Sequence, residues 1–331
     1  MQSNEKENQE AMRIGFAVKV LGEGGIKECD MRKWQSNPHL RCSLEMLHQV
    51  FDYLHRTGIS MYRMSSDIAP YITHPDMPQF HRQLDEAQEE LSALGAKARE
   101  YDLRLSLHPS QYIVLNAADE TIAVKSISDL NAQAEILERM GLDDHAVVVT
   151  HVGGAYGDKT SGKERFARRY EALPEITRRR LVLENDDVTY TVADVLDVHR
   201  MCGIQCIFDN LHHCCNNGTA ESGTRLTIQD ALAQMLSTWQ PHLTPKIHYS
   251  SPRTEAFEPT ESKTKTAKKE AAPVAPNIRM HADFINPFEF IYFLEKAQGL
   301  RPFDVMVESK AKDLAVLKLK KDLAKFGTLP L

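Results

Sequence analysis

The sequence lacks the features that would place it in several specialised classes. Its 331 residues contain no uninterrupted run of about 18 apolar residues, so no transmembrane helix is expected. The first residues, MQSNEKENQEAMR, are polar and acidic, unlike the basic start and apolar centre of a signal peptide. No Walker-type loop or dinucleotide-binding glycine pattern occurs, since Gly22–Gly25 lacks the required flanking residues. A cytoplasmic protein is expected.

Cysteine and positive charge are also limited. The six cysteines have neither the spacing of a disulfide framework nor that of a zinc knuckle, which predicts free thiols in a reducing compartment. The formal net charge of −6 does not favour nucleic-acid binding. That exclusion weakens if the carboxylates bind divalent cations, because each cation adds two positive charges where a substrate would sit.

Short apolar or β-branched runs alternate with longer amphipathic stretches, and eight of these runs read as buried parallel strands. They are Arg13–Val18, Ser60–Ser66, Arg104–Pro109, Ala146–Gly154, Arg180–Asp186, Gln205–His213, Lys246–Ser251 and Asp304–Lys310. Eight strands alternating with helices predict an α/β protein with a single (β/α)8 TIM barrel over residues 13–327. An open doubly wound sheet also suits the alternation, and the residues at the strand ends decide between the two.

Helix starts and irregular segments complete the organisation. Ser43, Asp119 and Thr191 precede helical patterns as candidate N-caps, and the last helix is expected over Asp313–Lys325. Residues 252–277 are rich in Lys, Glu, Thr, Ala and Pro and poor in large apolar residues, which predicts a flexible insertion after the seventh strand. Residues 1–12 are expected to be a disordered tail.

Histidines and carboxylates recur where the predicted strands end. A lone residue of this kind is more often a hydrogen-bonded structural group, but the carboxyl ends of all strands converge on one face of a barrel. Several buried carboxylates there require a countercharge. Two or three divalent metal ions would supply it, and such sites carry out in-line phosphoryl displacement. The residues at or near these strand ends are His108, His151, His212, His213, His248, His281, Glu184, Asp209 and Glu308.

Eight segments in fixed order resemble the UV damage endonuclease family, barrel repair nucleases related to endonuclease IV. The resemblance runs from about Arg13 to about Asp322, apart from the insertion, and its motifs in this order are highly specific. The matching segments are MYRMSSDIAPYITHP (61–75), LHPSQY (107–112), HVGGAYG (151–157), LVLEND (181–186), FDNLHH (208–213), KIHYSS (246–251), MHADF (280–284) and VMVESKAKD (305–313).

The resemblance implies a metal-dependent endonuclease that incises the DNA backbone 5′ of ultraviolet photoproducts in excision repair. It implies manganese as the expected metal, with zinc and magnesium as alternatives, and Glu184 as a bridge between two ions. The eight ligands that it implies are His108, His151, Glu184, Asp209, His212, His248, His281 and Glu308. Glu184, Lys246 and His248 would be catalytic. Lys246 matches a lysine that is carbamylated in the family; an unmodified lysine paired with a phosphate or carboxylate is the alternative.

The resemblance also implies substrate contacts. Gln111 and Tyr112 match a pair that fills the gap left by flipped bases, with damaged double-stranded DNA as the partner of a monomeric enzyme. Phe16 stands where the family often has tyrosine, so the ring is retained without its hydroxyl, and it is expected to contact substrate. Val20 and Asp67 also depart from the family pattern, which affects lesion contacts and not the metal residues.

Three other functions remain open on the sequence. An apurinic/apyrimidinic endonuclease like endonuclease IV would share the metal chemistry and differ in lesion recognition. A metal-dependent sugar isomerase of the same barrel superfamily would need no DNA-probing pair at the rim. A DNA-binding protein without catalysis is disfavoured by the complete set of eight candidate ligands.

Overall fold

The protein forms a parallel eight-stranded barrel surrounded by helices. The computed structural model describes residues 12–217, 225–255 and 276–327. The strands are β1 (Ile14–Ala17), β2 (Met61–Arg63), β3 (Arg104–Leu107), β4 (Val147–His151), β5 (Leu181–Glu184), β6 (Gln205–Ile207), β7 (Lys246–Tyr249) and β8 (Asp304–Val307). Each lies inside a run predicted from the sequence, so the barrel prediction is confirmed. The predicted tail falls almost wholly, and the predicted insertion mostly, outside the described residues.

The described residues form eleven α-helices, most of which lie between successive strands. They are α1 (Leu40–Thr57), α2 (Gln83–Glu86), α3 (Gln88–Glu100), α4 (Glu120–Arg139), α5 (Lys159–Glu171), α6 (Glu175–Arg180), α7 (Val192–Cys202), α8 (Asn210–Cys215), α9 (Ile228–Ser237), α10 (Pro287–Lys296) and α11 (Lys312–Phe326). None of these helices is long and apolar enough to cross a membrane.

Two of the three predicted helix caps are confirmed. The Asp119 carboxylate accepts hydrogen bonds from the first backbone amides of α4, and Thr191 forms a capping box with Asp194 at the start of α7. Ser43 was expected to begin a helix and does not. It lies inside α1, which begins at Leu40 after the N-cap His39, and its hydroxyl accepts from the Asp30 amide.

The strands pair in the order β6-β5-β4-β3-β2-β1-β8-β7, every pair parallel. A parallel bridge between Asp209 and His248, with the His248 amide 2.9 Å from the Phe208 carbonyl oxygen, brings β7 back to β6. The barrel is therefore closed just beyond β6. Gly15 permits a close approach within it, because a Cβ there would lie 2.1 Å from the Met61 carbonyl oxygen.

Strand alternation separates two environments. Residues such as Phe16, Tyr62 and Leu105 face outward and join the large core between strands and helices. Interior residues form two smaller apolar clusters, one around Val147, Val149, Val182 and Ile207, the other around Ala17, Met61 and Met306. The remaining interior positions are polar, and they lead upward to the carboxyl ends of the strands.

Candidate metal centre

The polar interior is built in levels. Near the amino ends of the strands, Arg104 donates to the Asp304 carboxylate across 2.7 Å, and both side chains are buried. Two residues further along β3, the Ser106 hydroxyl accepts a hydrogen bond across 2.8 Å from the ammonium of Lys246, the first residue of β7. Because side chains alternate along a strand, the next interior residues of β3 and β7 are His108 and His248, at the carboxyl end of the barrel.

Glu184 lies at the centre of this end. Its Oε1 is 2.8 Å from His248 Nδ1 and 3.5 Å from His212 Nδ1. Its Oε2 is 3.2 Å from His108 Nε2 and 3.6 Å from His151 Nε2. Strand register places His151 directly beside Glu184. One buried carboxylate therefore contacts four imidazoles, two on each oxygen.

Glu308 and Asp209 flank this arrangement. Glu308 Oε1 lies 3.4 Å from His248 Nδ1, and its Oε2 lies 3.8 Å from His281 Nε2. Asp209 Oδ1 lies 3.8 Å from His212 Nδ1. All eight side chains predicted as ligands thus lie in one continuous cluster. Two groups within it have donor atoms mutually within 4.8 Å: His108, His151, Glu184; and Glu184, Asp209, His248.

Several donor atoms in the cluster are buried without a hydrogen-bond partner among the residues that the structure describes. They are His151 Nδ1, His248 Nε2 and Asp209 Oδ2. Unsatisfied buried polar atoms are costly, and each of these is an atom type that ligates divalent cations. The residues present therefore fit a metal centre, with Glu184 shared between two candidate groups as a bridging carboxylate would be.

The electrostatics of the cluster favour the metal-binding protonation states of some ligands and oppose those of others. Against the effect of burial, Asp209 and Glu184 raise the pKa of His212 to about 9, so this imidazole would have to lose a proton to bind an ion. Burial lowers the pKa of His248 to about 4, which keeps its imidazole neutral at neutral pH. Burial alone would raise the pKa of Glu184, but His248, His151 and His108 hold it well below its usual value. Burial, reinforced by Glu184 and Glu308, raises the pKa of Asp209 to about 7. Neutral imidazoles and ionised carboxylates are the metal-binding forms.

Lys246 occupies the level below the ligands. Burial lowers its pKa well below the usual value, and the nearby charges of Arg63 and Arg104 act in the same direction. Its hydrogen-bond partner is a serine hydroxyl and not a carboxylate. The side chain is therefore placed beneath the cluster in an environment that disfavours the charged ammonium.

Gln111 and Tyr112 lie at the rim. They occupy the centre of a turn closed by the Ile113 amide and the Ser110 carbonyl oxygen, 3.0 Å apart, three residues after His108. Tyr112 is 76% exposed, and Gln111 is exposed beside it. Both side chains therefore stand free in solvent near the cluster.

Phe16 lies neither in the cluster nor at the rim of the barrel. Its ring is fully buried on the outer side of β1 and packs edge-on against Tyr62, with ring centroids 5.3 Å apart. Alternation assigns the interior to its neighbours Gly15 and Ala17. A side chain in this position has no surface free for substrate, so Phe16 is removed from the set of substrate contacts.

Two residues around the cluster were not identified from the sequence. Arg63 forms an ion pair with Glu308 Oε1 from the end of β2. Asn185 is fully buried and hydrogen-bonds both backbone groups of Asp209, at 2.9 and 3.1 Å. Asn185 lies within the segment LVLEND. Arg63 lies two residues after Met61 on β2, so strand alternation places its side chain in the barrel interior. This alternation was the signal that could have identified Arg63.

A barrel with an ionisable cluster at the carboxyl ends of its strands has the architecture of barrel enzymes. The family model of UV-endonuclease UvdE matches residues 39–330. The chain belongs to the UV-endonuclease UvdE family.

Individual relatives agree with this assignment. The UV DNA damage endonuclease of Bacillus velezensis is 34% identical over 288 residues, covering 86% of this chain and 80% of that protein. The protein of the same name from Bacillus cereus (strain Q1) is 33% identical over 287 residues, 86% and 81% of the two chains. The crystal structure of SacUVDE superposes with a TM-score of 0.75 at 28% identity, covering 96% of this chain and 100% of that one.

Barrel proteins outside this family are similar in fold alone. D-psicose 3-epimerase from Clostridium cellulolyticum H10 gives a TM-score of 0.51 at 10% identity over 96% of this chain and 98% of that one. At this identity the similarity carries no information about the reaction.

Proposed function

We propose that this protein is a metal-dependent endonuclease that incises DNA 5′ of ultraviolet photoproducts, cyclobutane dimers and 6-4 photoproducts, as the first step of an excision repair pathway. The observation that carries the proposal is the single buried carboxylate of Glu184 contacting four imidazoles in a chain of the UV-endonuclease family. The enzyme is a hydrolase acting on a phosphodiester, and we propose that it acts as a monomer.

Two or three divalent ions, with Mn²⁺ as the proposed metal, would be held by the eight clustered side chains: His108, His151, Glu184, Asp209, His212, His248, His281 and Glu308. Bound there, the ions would supply an activated water and stabilise the charge on the leaving oxygen. The protein's own part is to hold the ligands in place. Asn185 fixes the backbone of Asp209, and the Pro109 carbonyl oxygen lies 3.0 Å from His108 Nδ1 and orients that ring.

Lesion recognition would depend on Gln111 and Tyr112 at the rim of the barrel. Gln111 offers an amide to exposed base edges, and Tyr112 offers a flat ring for stacking, so the pair is suited to fill the space left when two damaged bases leave the helix. Because flipping costs least for poorly stacked bases, selection by deformability would let one site accept chemically different photoproducts.

The proposal is tested with a duplex carrying one cyclobutane dimer at a known position. Purified protein with Mn²⁺ should produce a single nick on the 5′ side of the dimer, and chelator should abolish it. Undamaged duplex and a duplex with one abasic site serve as matched substrates. Equal cutting of damaged and undamaged strands, or cutting at the abasic site alone, contradicts the lesion assignment; the latter result supports an apurinic/apyrimidinic endonuclease.

A further inference from the structure

Three positively charged side chains lie at the carboxyl end of the barrel, and none of them belongs to the proposed ligand set. Arg63 ends β2, Lys312 is the first residue of α11, and Lys19 follows β1. Lys312 is half-buried, and burial together with the like charges of Arg63 and Lys19 lowers its pKa, with Glu308 opposing. Burial lowers the pKa of His281, and the charge of the Lys312 ammonium contributes to this shift. β1 lies between β2 and β8 in the sheet, so Lys19, Arg63 and Lys312 stand at or just beyond the carboxyl ends of three neighbouring strands, where Arg63 pairs with Glu308.

The approach of Lys19 to Lys312 is enforced by the neighbouring residue Asp313. Its buried carboxylate accepts hydrogen bonds from the backbone amides of Leu21 and Gly22 at 2.7 and 2.9 Å. The Tyr53 hydroxyl donates to the same carboxylate at 2.6 Å. The loop after β1, which carries Lys19, is thereby fixed to the start of α11.

Neither of these two lysines has a counterion among the described residues, whereas some other lysines do. Lys97 pairs with Asp52 and Lys163 with Asp197, at 2.7 and 2.6 Å. Within residues 12–217, 225–255 and 276–327, neither Lys19 nor Lys312 forms an ion pair. Like charges held together are unfavourable without an anion, so the arrangement suits a molecule that brings one.

The backbone supports the same interpretation. Lys312 has φ 51°, a left-handed conformation that is uncommon for residues other than glycine, asparagine and aspartate. Its amide donates to the Ser309 carbonyl oxygen at 3.2 Å, which closes the turn between Glu308 and α11. The turn holds the ammonium at the mouth four residues after a proposed ligand. Strained backbone of this kind clusters at functional sites.

We propose that Lys312 and Lys19 together bind one backbone phosphate of the DNA strand next to the metal centre. The ligand class is a phosphodiester monoanion, and an ammonium group recognises it as a point charge without reading sequence. Arg63, paired with Glu308, is a positioning residue for that carboxylate and not the primary phosphate contact. This inference rests on the proposed function and adds to it the place where the undamaged backbone is held.

The test measures how DNA binding depends on salt. The protein, in Mn²⁺ buffer, is titrated with an undamaged 20-base-pair duplex (a length of about 20 pairs spans the sites of most DNA-binding modules) at several salt concentrations. The variants are Lys312→Asn and Lys19→Gln. Asparagine tolerates the left-handed conformation, so Lys312→Asn removes the charge and keeps the backbone. The control is Lys325→Gln, at the far end of α11, about 20 Å away along the helix.

We expect the double variant, Lys312→Asn with Lys19→Gln, to reduce the slope of log Kobs against log salt by about 0.9, the value for one phosphate contact, and each single variant to reduce it by a part of that amount. The loss should be equal for undamaged and dimer-containing duplexes, while bound metal and thermal stability stay as in the unmodified protein. Lys325→Gln should leave the slope unchanged. A slope in Lys312→Asn equal to that of the control, or a loss confined to damaged duplex, overturns the inference.

These measurements distinguish a failure of the proposed endonuclease function from a failure of the proposed phosphate site. A protein that binds duplex with the expected slopes but does not nick at photoproducts contradicts the endonuclease proposal and keeps the phosphate site. A protein that nicks at photoproducts with unchanged slopes in both lysine variants contradicts the phosphate site alone. Absence of duplex binding at every salt concentration overturns both.

Discussion

Glu184 Oε1 lies 2.8 Å from His248 Nδ1, although the two residues come from β5 and β7, which are not neighbours in the sheet. The contact crosses the barrel interior at the carboxyl ends of the strands. His108 from β3 reaches the other oxygen of the same carboxylate. Three separated segments of the chain thus meet on one side chain, and the first prediction concerns its charge.

Replacing Glu184 by Gln keeps its shape and removes the charge that four imidazoles surround. We expect loss of at least one bound ion per chain, measured by elemental analysis, and a fall in cleavage rate on the order of 10³-fold, since a catalytic metal supplies several kcal/mol. The fold should survive, as followed by circular dichroism. Exposed Glu45 on α1 provides the control Glu45→Gln. Full metal content in Glu184→Gln would remove this residue from the centre.

Replacing Asn185 by Ala leaves the buried amide of Asp209 without its partner, while the Asp209 carbonyl oxygen keeps the hydrogen bond from the His213 amide. An unpaired buried group costs about 1–3 kcal/mol, so the free energy of unfolding should fall by about that amount. Misplacement of Asp209 should weaken metal binding about 10–100-fold. Denaturant titration and metal competition measure the two effects.

The matched control for that variant is Asn131→Ala. Its side chain accepts one hydrogen bond, from Thr177 on the outer helices, so a loss of about 1 kcal/mol with unchanged metal affinity is expected. Equal metal affinity in Asn185→Ala and the unmodified protein would show that Asn185 does not position Asp209.

Replacing both Gln111 and Tyr112 by Ala should reduce the preference for dimer-containing over undamaged duplex by about tenfold or more, because base stacking on an aromatic ring contributes about 1–3 kcal/mol. Both side chains are exposed, so stability and metal content should not change. Tyr292, 57% exposed on α10, provides the control Tyr292→Ala. Loss of metal in the double variant would contradict the separation between lesion recognition and catalysis.

We expect the ionisation of Asp30 to make the free energy of unfolding depend on pH. The side-chain hydrogen bond from Arg32, opposed by burial, lowers the pKa of Asp30 to about 2. A carboxylate with a lowered folded-state pKa stabilises the fold above about pH 4, its unfolded value, and that contribution disappears as the pH falls towards 2. The difference in unfolding free energy between the unmodified protein and Asp30→Asn should therefore shrink between pH 4 and pH 2. A constant difference across that window would contradict the assignment.

The barrel was predictable because its signals are local. Each strand is a short run of apolar or β-branched residues, and Asp119 and Thr191 mark helix starts through hydrogen bonds within three residues. The prediction for Ser43 was wrong because a serine that precedes a helical pattern resembles an N-cap. The hydroxyl of Ser43 instead accepts a hydrogen bond from the Asp30 amide, 13 residues away. No local rule identifies that partner.

Strand alternation predicts the environments of both Phe16 and Arg63, yet Phe16 was wrongly expected to contact substrate and Arg63 was not identified. Phe16 shares the outward parity of Tyr62, its ring partner, whereas Arg63 shares the interior parity of Met61. Resemblance to a family position drew attention to the ring of Phe16. The pleat of the strand decides which side chain faces the substrate end of the barrel.

By itself, the sequence determined the fold class, the family and the eight ionisable residues at the strand ends, because periodicity and short motifs are properties of neighbouring residues. Only the tertiary structure decided that both oxygens of Glu184 are shared among four imidazoles, that Asn185 holds Asp209, and that Asp313 fixes the loop after β1 to the start of α11. These contacts join residues up to 292 positions apart. Closure of the barrel and the pairing of its loops set their distances, and no local pattern encodes either one.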